Sequence, residues 1–230
     1  MLRITFNGHA NFLLENGEYS ILIDPWFTGN PTAKANPMDY EQIDVILVTH
    51  GHGDHLGDAI EISKKYMAPI VAPFELAGFC QRRGAHVIPM NHGGQRITEC
   101  GRVKMTNAIH SSAFIGKGAE YTGNPCGFII DFGGQRIYFA GDTALFGDMK
   151  LIGELESPDI AILPIGDNFT MGAKDAAKAV EFIAPKHVIP MHYATFEVLD
   201  QSPDAFIEAI AHLDVEPVIL EVGQSHEFGG

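Results

Sequence analysis

The sequence predicts an α/β protein of the α+β kind, folded as a four-layer helix–sheet–sheet–helix (αββα) sandwich. Two observations support this architecture. Short apolar strands bounded by Gly, Pro and Asn alternate with helical stretches, and the run FLLENGEYSILID at 12–24 resembles FIIDFGGQRIYFA at 128–140. The resemblance favours two similar β-rich halves with helices outside, although any two β-hairpins share some of this pattern.

The individual elements follow from local periodicity and turn residues. Strands are predicted where apolar residues alternate or run together between turn signals, at 2–6, 11–14, 19–23, 43–49, 69–72, 86–90, 187–190 and 218–222, and hairpin-like runs are predicted at 102–109 and 128–139. Helices are predicted at 58–66, 75–83, 173–184 and 203–212. Gly17 marks a hairpin turn. No Pro- or Ser-rich linker interrupts the pattern, so residues 1–230 are expected to form one domain.

Composition and charge exclude several classes of protein. Of the 230 residues, 46% are hydrophobic and 19% are charged, which is typical of a globular protein. The 15 Lys and Arg against 29 Asp and Glu give a formal charge of 15 − 29 = −14. A chain this acidic cannot replace the counterions along a phosphate backbone, so neither a nucleic acid nor an anionic membrane surface is an expected partner.

The cysteines and the N-terminal segment predict a cytoplasmic protein. Cys80, Cys100 and Cys126 form no C-x-x-C pair, so the sequence indicates neither a disulfide framework nor a cysteine zinc site. The first residues enter a strand pattern at once, without the basic and apolar regions of a signal peptide. No apolar run approaches the roughly 20 residues that a spanning helix needs.

A strand-like run at 45–49 leads directly into the sequence HGHGDH at 50–55. Imidazole nitrogens and carboxylate oxygens are good ligands for Zn²⁺, Mn²⁺ and Fe, and a loop at a strand end can aim several of them inward. The motif therefore supplies four potential metal ligands, which are His50, His52, Asp54 and His55.

Four ligands in six residues suit two neighbouring ions better than one, because adjacent residues cannot easily converge on a single tetrahedral centre. Two ions need further ligands from elsewhere in the chain. The candidates are His110, Asp142 and His192, each of which stands where a strand-like run enters a loop.

With these residues the chain resembles the metallo-β-lactamase superfamily over essentially its whole length. Its shorter motifs GH at 8–9, IDP at 23–25, LPIGDNFTMG at 163–172 and PMHY at 190–193 look like those of the prokaryotic metal-dependent hydrolases that are similar to ascorbate-6-phosphate lactonase. The resemblance implies the αββα fold of that superfamily, with a dimetal centre at one edge.

The resemblance also implies a role for each ligand. His50, His52 and His110 would hold the first metal, Asp54, His55 and His192 the second, and Asp142 would bridge both. Asp24 would support the ligand loop through hydrogen bonds, or would be a simple turn residue before Pro25. The expected cofactors are two divalent ions, zinc first, with manganese and iron as alternatives.

Two cations a few Å apart lower the pKa of a bridging water, so hydroxide is the expected nucleophile. The candidate catalytic residues are Asp54, Asp142 and His9, the last as a proton donor or substrate contact, with a structural histidine as the alternative. The candidate substrate contacts are Asp167, Asn168 and Tyr193, with an ordinary loop and simple packing as the alternatives.

These observations favour a dinuclear hydrolase that acts on a small ester, lactone or phosphodiester. One alternative is an RNA-processing nuclease of the tRNase Z kind, which shares the Gly-Asp-Thr sequence around Asp142, although the acidic charge weighs against it. A second alternative is a non-catalytic binding protein on the same fold. The expected partner is a small anionic molecule, and a homo-oligomer is the expected assembly.

Overall fold

The computed structural model describes residues 1–229 and contains two seven-stranded mixed sheets. Across the first sheet, antiparallel pairs join the first four strands and parallel pairs join the rest. In that spatial order the strands are β16 (Ser225–Phe228), β1 (Leu2–Gly8), β2 (Asn11–Glu15), β3 (Ser20–Ile23), β4 (Val45–Leu47), β5 (Ile70–Pro73) and β6 (Val87–Met90).

The second sheet repeats this mixture of an antiparallel part and a parallel part. In spatial order its strands are β7 (Gln95–Thr98), β8 (Gly101–Asn107), β11 (Cys126–Phe132), β12 (Gln135–Phe139), β13 (Ile160–Pro164), β14 (His187–Met191) and β15 (Glu216–Pro217). The hairpins β2–β3 and β11–β12, which carry the two similar sequences, occupy equivalent places before the parallel strands. A separate small hairpin consists of β9 (Ala113–Ile115) and β10 (Ala119–Tyr121).

Helices cover the outer face of each sheet. On the first sheet they are α1 (Gly53–Leu56), α2 (Ala59–Tyr66) and α3 (Phe74–Gln81), and on the second they are α4 (Met149–Glu156), α5 (Ala173–Ile183) and α6 (Asp204–Ile210). The apolar faces of these helices pack on the outward side chains of the strands. Within residues 1–229, no helix is long and apolar enough to cross a membrane.

The largest core cluster lies between the two sheets. Along β1, Leu2, Ile4 and Phe6 point into this core because successive side chains of a strand face opposite sides of the sheet. Phe12 of the first sheet meets Phe139 of the second with ring centroids 6.0 Å apart. Two further clusters lie between each sheet and its helices. The predicted αββα architecture is therefore confirmed.

Strand direction places one edge of both sheets at the candidate site. The strands β1, β3 and β4 run in the same direction in the first sheet, as do β8, β12 and β14 in the second. Their carboxyl ends therefore meet at a common edge, which is where α/β proteins bind ligands. Within three residues of the ends of these six strands lie His9, Asp24, His50, His110, Asp142 and His192.

The predicted strand at 218–222 is wrong. The ladder of β15 ends at Pro217, and the chain then crosses to the first sheet and turns at Gly223, where φ is 85°. Val218 and Leu220 are apolar because they are buried between the two sheets along this crossing. Their alternation therefore reflects burial and not strand pairing. Sequence reasoning also missed the strands β7, β9, β10, β13, β15 and β16 and the helices α1 and α4.

Candidate metal centre

The motif at 50–55 begins three residues after β4 ends, and its last three residues form the start of α1. Gly51 packs so closely on Thr122 that a Cβ atom would overlap the threonine side chain, and its N–H donates to Ser112 Oγ at 3.1 Å. This contact anchors the loop between its first two histidines. His50 and His55 point inward and are fully buried, whereas His52 is half-buried.

The first group of ligand-type side chains consists of His50, His52 and His110, with one ligand atom from each within 4.8 Å of the others. His50 Nε2 lies 2.9 Å from His52 Nδ1. Ligand atoms about 2.0–2.1 Å from a tetrahedral zinc ion are about 3.3 Å apart, so this spacing fits a shared cation. We refer to this group as the outer position because His52 and His110 are partly exposed.

The second group consists of His9, Asp54, His55 and His192, again with ligand atoms within 4.8 Å of one another. We refer to it as the inner position because all three histidines are buried. Asp54 closes the group, with its Oδ2 3.4 Å from His9 Nε2. Burial lowers the pKa of His9 to about 4, so its ring is neutral near pH 7.

Asp142 lies between the two positions and belongs to a third group with His50 and His55. Its Oδ2 atom is 3.1 Å from His192 Nε2, 3.2 Å from His55 Nε2, 3.6 Å from His110 Nε2 and 3.9 Å from His50 Nε2. Burial opposes ionisation of this carboxyl, but His192 and His55 outweigh it and hold the pKa of Asp142 well below its usual range. A charged carboxylate in this place can contact ions on both sides.

Asp24 orients the two central histidines. Its Oδ2 accepts a hydrogen bond from His55 Nδ1 at 2.8 Å and another from the Thr49 hydroxyl at 2.7 Å, while its Oδ1 accepts from the Thr49 N–H. Because the Thr49 proton is used on Asp24, the contact of 2.9 Å from Thr49 Oγ1 to His50 Nδ1 needs a proton on the ring. Both rings therefore carry a proton on Nδ1 and turn Nε2 toward Asp142, which is the orientation of metal-ligating histidines.

These side chains fit divalent cations. Buried atoms without a hydrogen bond cost about 1–3 kcal/mol each, and three of those found within residues 1–229 meet here, namely His9 Nε2, His55 Nε2 and Asp142 Oδ1. Burial works against protonation of His55, but Asp142 and Asp24 outweigh it and raise the pKa of His55 well above its usual value. The centre therefore attracts positive charge strongly.

The remaining predicted residues lie at the same edge but outside these groups. Asp167 and Asn168 are exposed in the loop after β13, both with a left-handed backbone. Tyr193 is half-buried and lines a cavity of about 360 Å³ together with His9. The sequence alone did not single out Thr49 or Thr195 as functional residues. The only available signal was that Thr49 precedes His50 and that Thr195 lies three residues after His192.

Alanine at Gly51 is expected to destabilise the protein by about 1–3 kcal/mol, because the added methyl group overlaps Thr122 and displaces the loop. Gly53, two residues away, is the matched control, since a Cβ atom there meets nothing within 4 Å. Gly53→Ala should change stability by less than about 1 kcal/mol. Urea unfolding of both variants measures the difference, and equal stabilities would contradict the proposed contact.

The fold and the site together define a protein of the metallo-β-lactamase superfamily. The profile of the "Beta-lactamase superfamily domain" matches residues 19–193. The metallo-β-lactamase fold protein YhfI from Bacillus subtilis superimposes with a TM-score of 0.73 at 16% identity, covering 99% of this chain and 100% of that one. At this identity the likeness shows the fold.

Closer relatives identify the family. A "UPF0173 metal-dependent hydrolase" from Desulforamulus reducens is 52% identical over 227 residues, which cover 97% of this chain and 98% of the relative. The structure of Igni18, a metallo hydrolase from Ignicoccus hospitalis, has a TM-score of 0.89 at 34% identity and covers 99% of both chains. The chain belongs to the UPF0173 family of metal-dependent hydrolases.

Proposed function

We propose that this protein is a dinuclear hydrolase of small anionic esters, lactones or phosphodiesters. The observation that carries the proposal is the position of Asp142, one buried carboxylate within 3.1–3.9 Å of four histidines from two ligand groups. A carboxylate so placed is suited to bridge two ions. Two divalent ions in such a centre activate water and polarise the oxygen of the bond to be cleaved.

The outer position would use His50, His52 and His110, and the inner position Asp54, His55 and His192, with Asp142 shared. The chain itself contributes orientation, because Asp24 and Thr49 hold two imidazoles in the ligating tautomer. It also contributes exclusion of water, since His50, His55 and Asp142 are buried. The partly exposed His52 and His110 leave the outer side open to substrate.

Charge balance supports an anionic substrate. Two divalent ions bring four positive charges, against three carboxylates from Asp24, Asp54 and Asp142, so the loaded centre carries 4 − 3 = +1 before the hydroxide nucleophile is counted and no net charge with it. This centre would accept an anionic group that the three carboxylates alone would repel, even though the whole chain carries −14. That overall charge disfavours RNA, whose phosphates extend well beyond one pocket. A phosphorylated lactone is the first substrate class to test, because it combines an anionic group with a bond of the proposed class.

The proposal predicts about two metal ions per chain in protein purified without chelator. Elemental mass spectrometry would count zinc, manganese and iron, and the identified ion would be added in screens of lactones, phosphodiesters and carboxylic esters. Removal of the ions with a chelator should abolish hydrolysis and lower the melting temperature, because a ligand that binds only the folded state stabilises it. Re-addition of the ion should restore both.

Two results would contradict this proposal. Protein that stays metal-free after incubation with Zn²⁺, Mn²⁺ and Fe²⁺ would leave the fold without its cofactor and favour a non-catalytic binding protein. Fully loaded protein that hydrolyses no small substrate but cleaves RNA, with binding that tightens at low salt, would favour a nuclease instead.

A further inference from the structure

His9 directly follows β1 and lies about forty residues before the HGHGDH motif, yet its ring reaches the inner position. Its centroid is 4.0 Å from that of His192 and 5.4 Å from that of His55. Its Nε2 is buried, lies 3.4 Å from Asp54 Oδ2, and forms no hydrogen bond among the described residues. A buried histidine nitrogen aimed at three ligand-type side chains needs a binding partner.

Hydrogen bonding on the far side of the ring defines the tautomer of His9. The Thr195 hydroxyl lies 3.2 Å from the carbonyl oxygen of Tyr193 and donates its single proton there. The 3.0 Å contact between Thr195 Oγ1 and His9 Nδ1 therefore needs the proton on Nδ1. His9 Nε2 then carries a free lone pair, which faces Asp54 and cannot donate to it.

The same arrangement orients His50. There the Thr49 hydroxyl donates to Asp24 and accepts from His50 Nδ1, so Nε2 faces the outer position. The hydroxyls of Thr49 and Thr195, which lie in different loops, thus each fix the proton of one histidine ring on Nδ1. The His50 ring then faces the outer position and the His9 ring faces the inner position. A hydrogen bond to the second ring nitrogen is the usual accompaniment of a metal-ligating histidine.

The backbone also holds His9 against the inner position. His192 N–H donates to the His9 carbonyl oxygen at 2.8 Å, and both residues have a left-handed conformation, with φ of 61° for His9 and 59° for His192. Gly8, with φ of 104°, permits the turn of the chain directly before His9. Conformations of this kind in residues other than glycine cluster at functional sites.

We propose that His9 is a ligand of the inner metal position and that Thr195 is its positioning residue. This inference rests on the proposed dinuclear centre. The inner position then has five protein ligands, counting Asp142, against four for the outer position. A position with more ligands and less exposure holds its ion more tightly, whereas the outer position keeps room for water or substrate. The inner ion should therefore bind first and leave last.

The test is the affinity of each metal equivalent, measured by competition of Zn²⁺ with a chromophoric chelator. His9→Asn suits the left-handed backbone at this residue, and its shorter side chain cannot reach the cluster. We expect this variant to bind the tighter of the two zinc equivalents at least about tenfold more weakly. His212→Asn is the matched control, because it removes an exposed imidazole beyond the end of α6, and its two affinities should equal those of the wild type.

Thr195 provides a second test that leaves the ligand itself in place. Thr195→Val keeps the shape but removes the hydroxyl, so the His9 ring loses its fixed tautomer and the affinity of the tighter equivalent should fall by about tenfold. Thr195→Ser restores the hydroxyl and should recover the wild-type affinity. If Thr195 had a purely structural role, its replacement would lower the unfolding temperature of the metal-free protein, and the valine and serine variants would not differ in metal affinity.

The outcomes separate this inference from the proposed function. If the wild type binds two ions and folded His9→Asn binds both with unchanged affinity, His9 is not a ligand, although the dinuclear centre stands. Unchanged metal affinity with lost hydrolysis would assign His9 the role of proton donor and would overturn the inference. If the wild type itself fails to bind two ions, the proposed function fails, and the ligand role of His9 fails with it.

Discussion

Replacement of Asp142 by asparagine is expected to lower the bound metal from about two ions per chain to about one or fewer. Asparagine has nearly the same size, so the fold around residue 142 is preserved. The change removes the one negative charge that lies within 3.1–3.9 Å of four histidines. An uncharged amide is a weak ligand and cannot compensate the charge of two neighbouring cations.

Changes to residues that only hydrogen-bond to metal ligands lower activity by roughly 10- to 100-fold. The rate of hydrolysis by Asp142→Asn should fall by more than this, because Asp142 is proposed as a ligand itself. Elemental mass spectrometry and rates on the same preparation measure both effects. Asp148→Asn is the matched control, because it removes a carboxylate of equal charge from an exposed residue and should retain both ions. A variant at Asp142 that retained two tightly bound ions would contradict the bridging role.

Replacement of Asp24 by asparagine is expected to weaken metal binding by about 10- to 100-fold, although Asp24 itself lies outside both ligand groups. Its backbone has φ of 43°, which asparagine tolerates well. The loss therefore comes from hydrogen bonding. If the new amide oxygen replaces Oδ1 and accepts from the Thr49 N–H, its NH₂ group faces His55 Nδ1, where the carboxylate accepted a proton before.

The NH₂ group of the new asparagine and the Nδ1–H of His55 are both donors and cannot hydrogen-bond to each other. The His55 ring would therefore shift its proton to Nε2, the atom that faces Asp142. The Thr49 hydroxyl would lose its acceptor as well, and His50 would lose its fixed orientation. Chelator competition measures the affinity, with Asp39→Asn on the exposed surface as the control. Unchanged affinity would show that Asp24 is only a turn residue before Pro25.

Local signals in the sequence were sufficient for the chemistry of the motif. His50, His52, Asp54 and His55 lie within six residues, so their spacing alone indicated metal ligands. His110, Asp142 and His192 were recognised as residues at the ends of strands and by their order along the chain. The structure brings all seven to one edge.

Contacts between distant segments were not readable in the same way. His9 had no partner nearby in the sequence, and its prediction as a proton donor or substrate contact rested only on a Gly-His pair at a strand end. Its neighbours come from 45 and 183 residues further along the chain, at Asp54 and His192. The segment at 218–222 failed for a related reason, because burial between two sheets produces the same alternation as a strand.

The sequence by itself determined most of the strands and helices, the layered fold and the four-ligand motif, because these depend on periodicities and spacings within a dozen residues. Only the tertiary structure decided that His9 joins the inner group and that Thr49 and Thr195 set two histidine tautomers. Those relations depend on strand direction and on how two sheets pack face to face. Such long-range geometry brings together residues that carry no common local pattern.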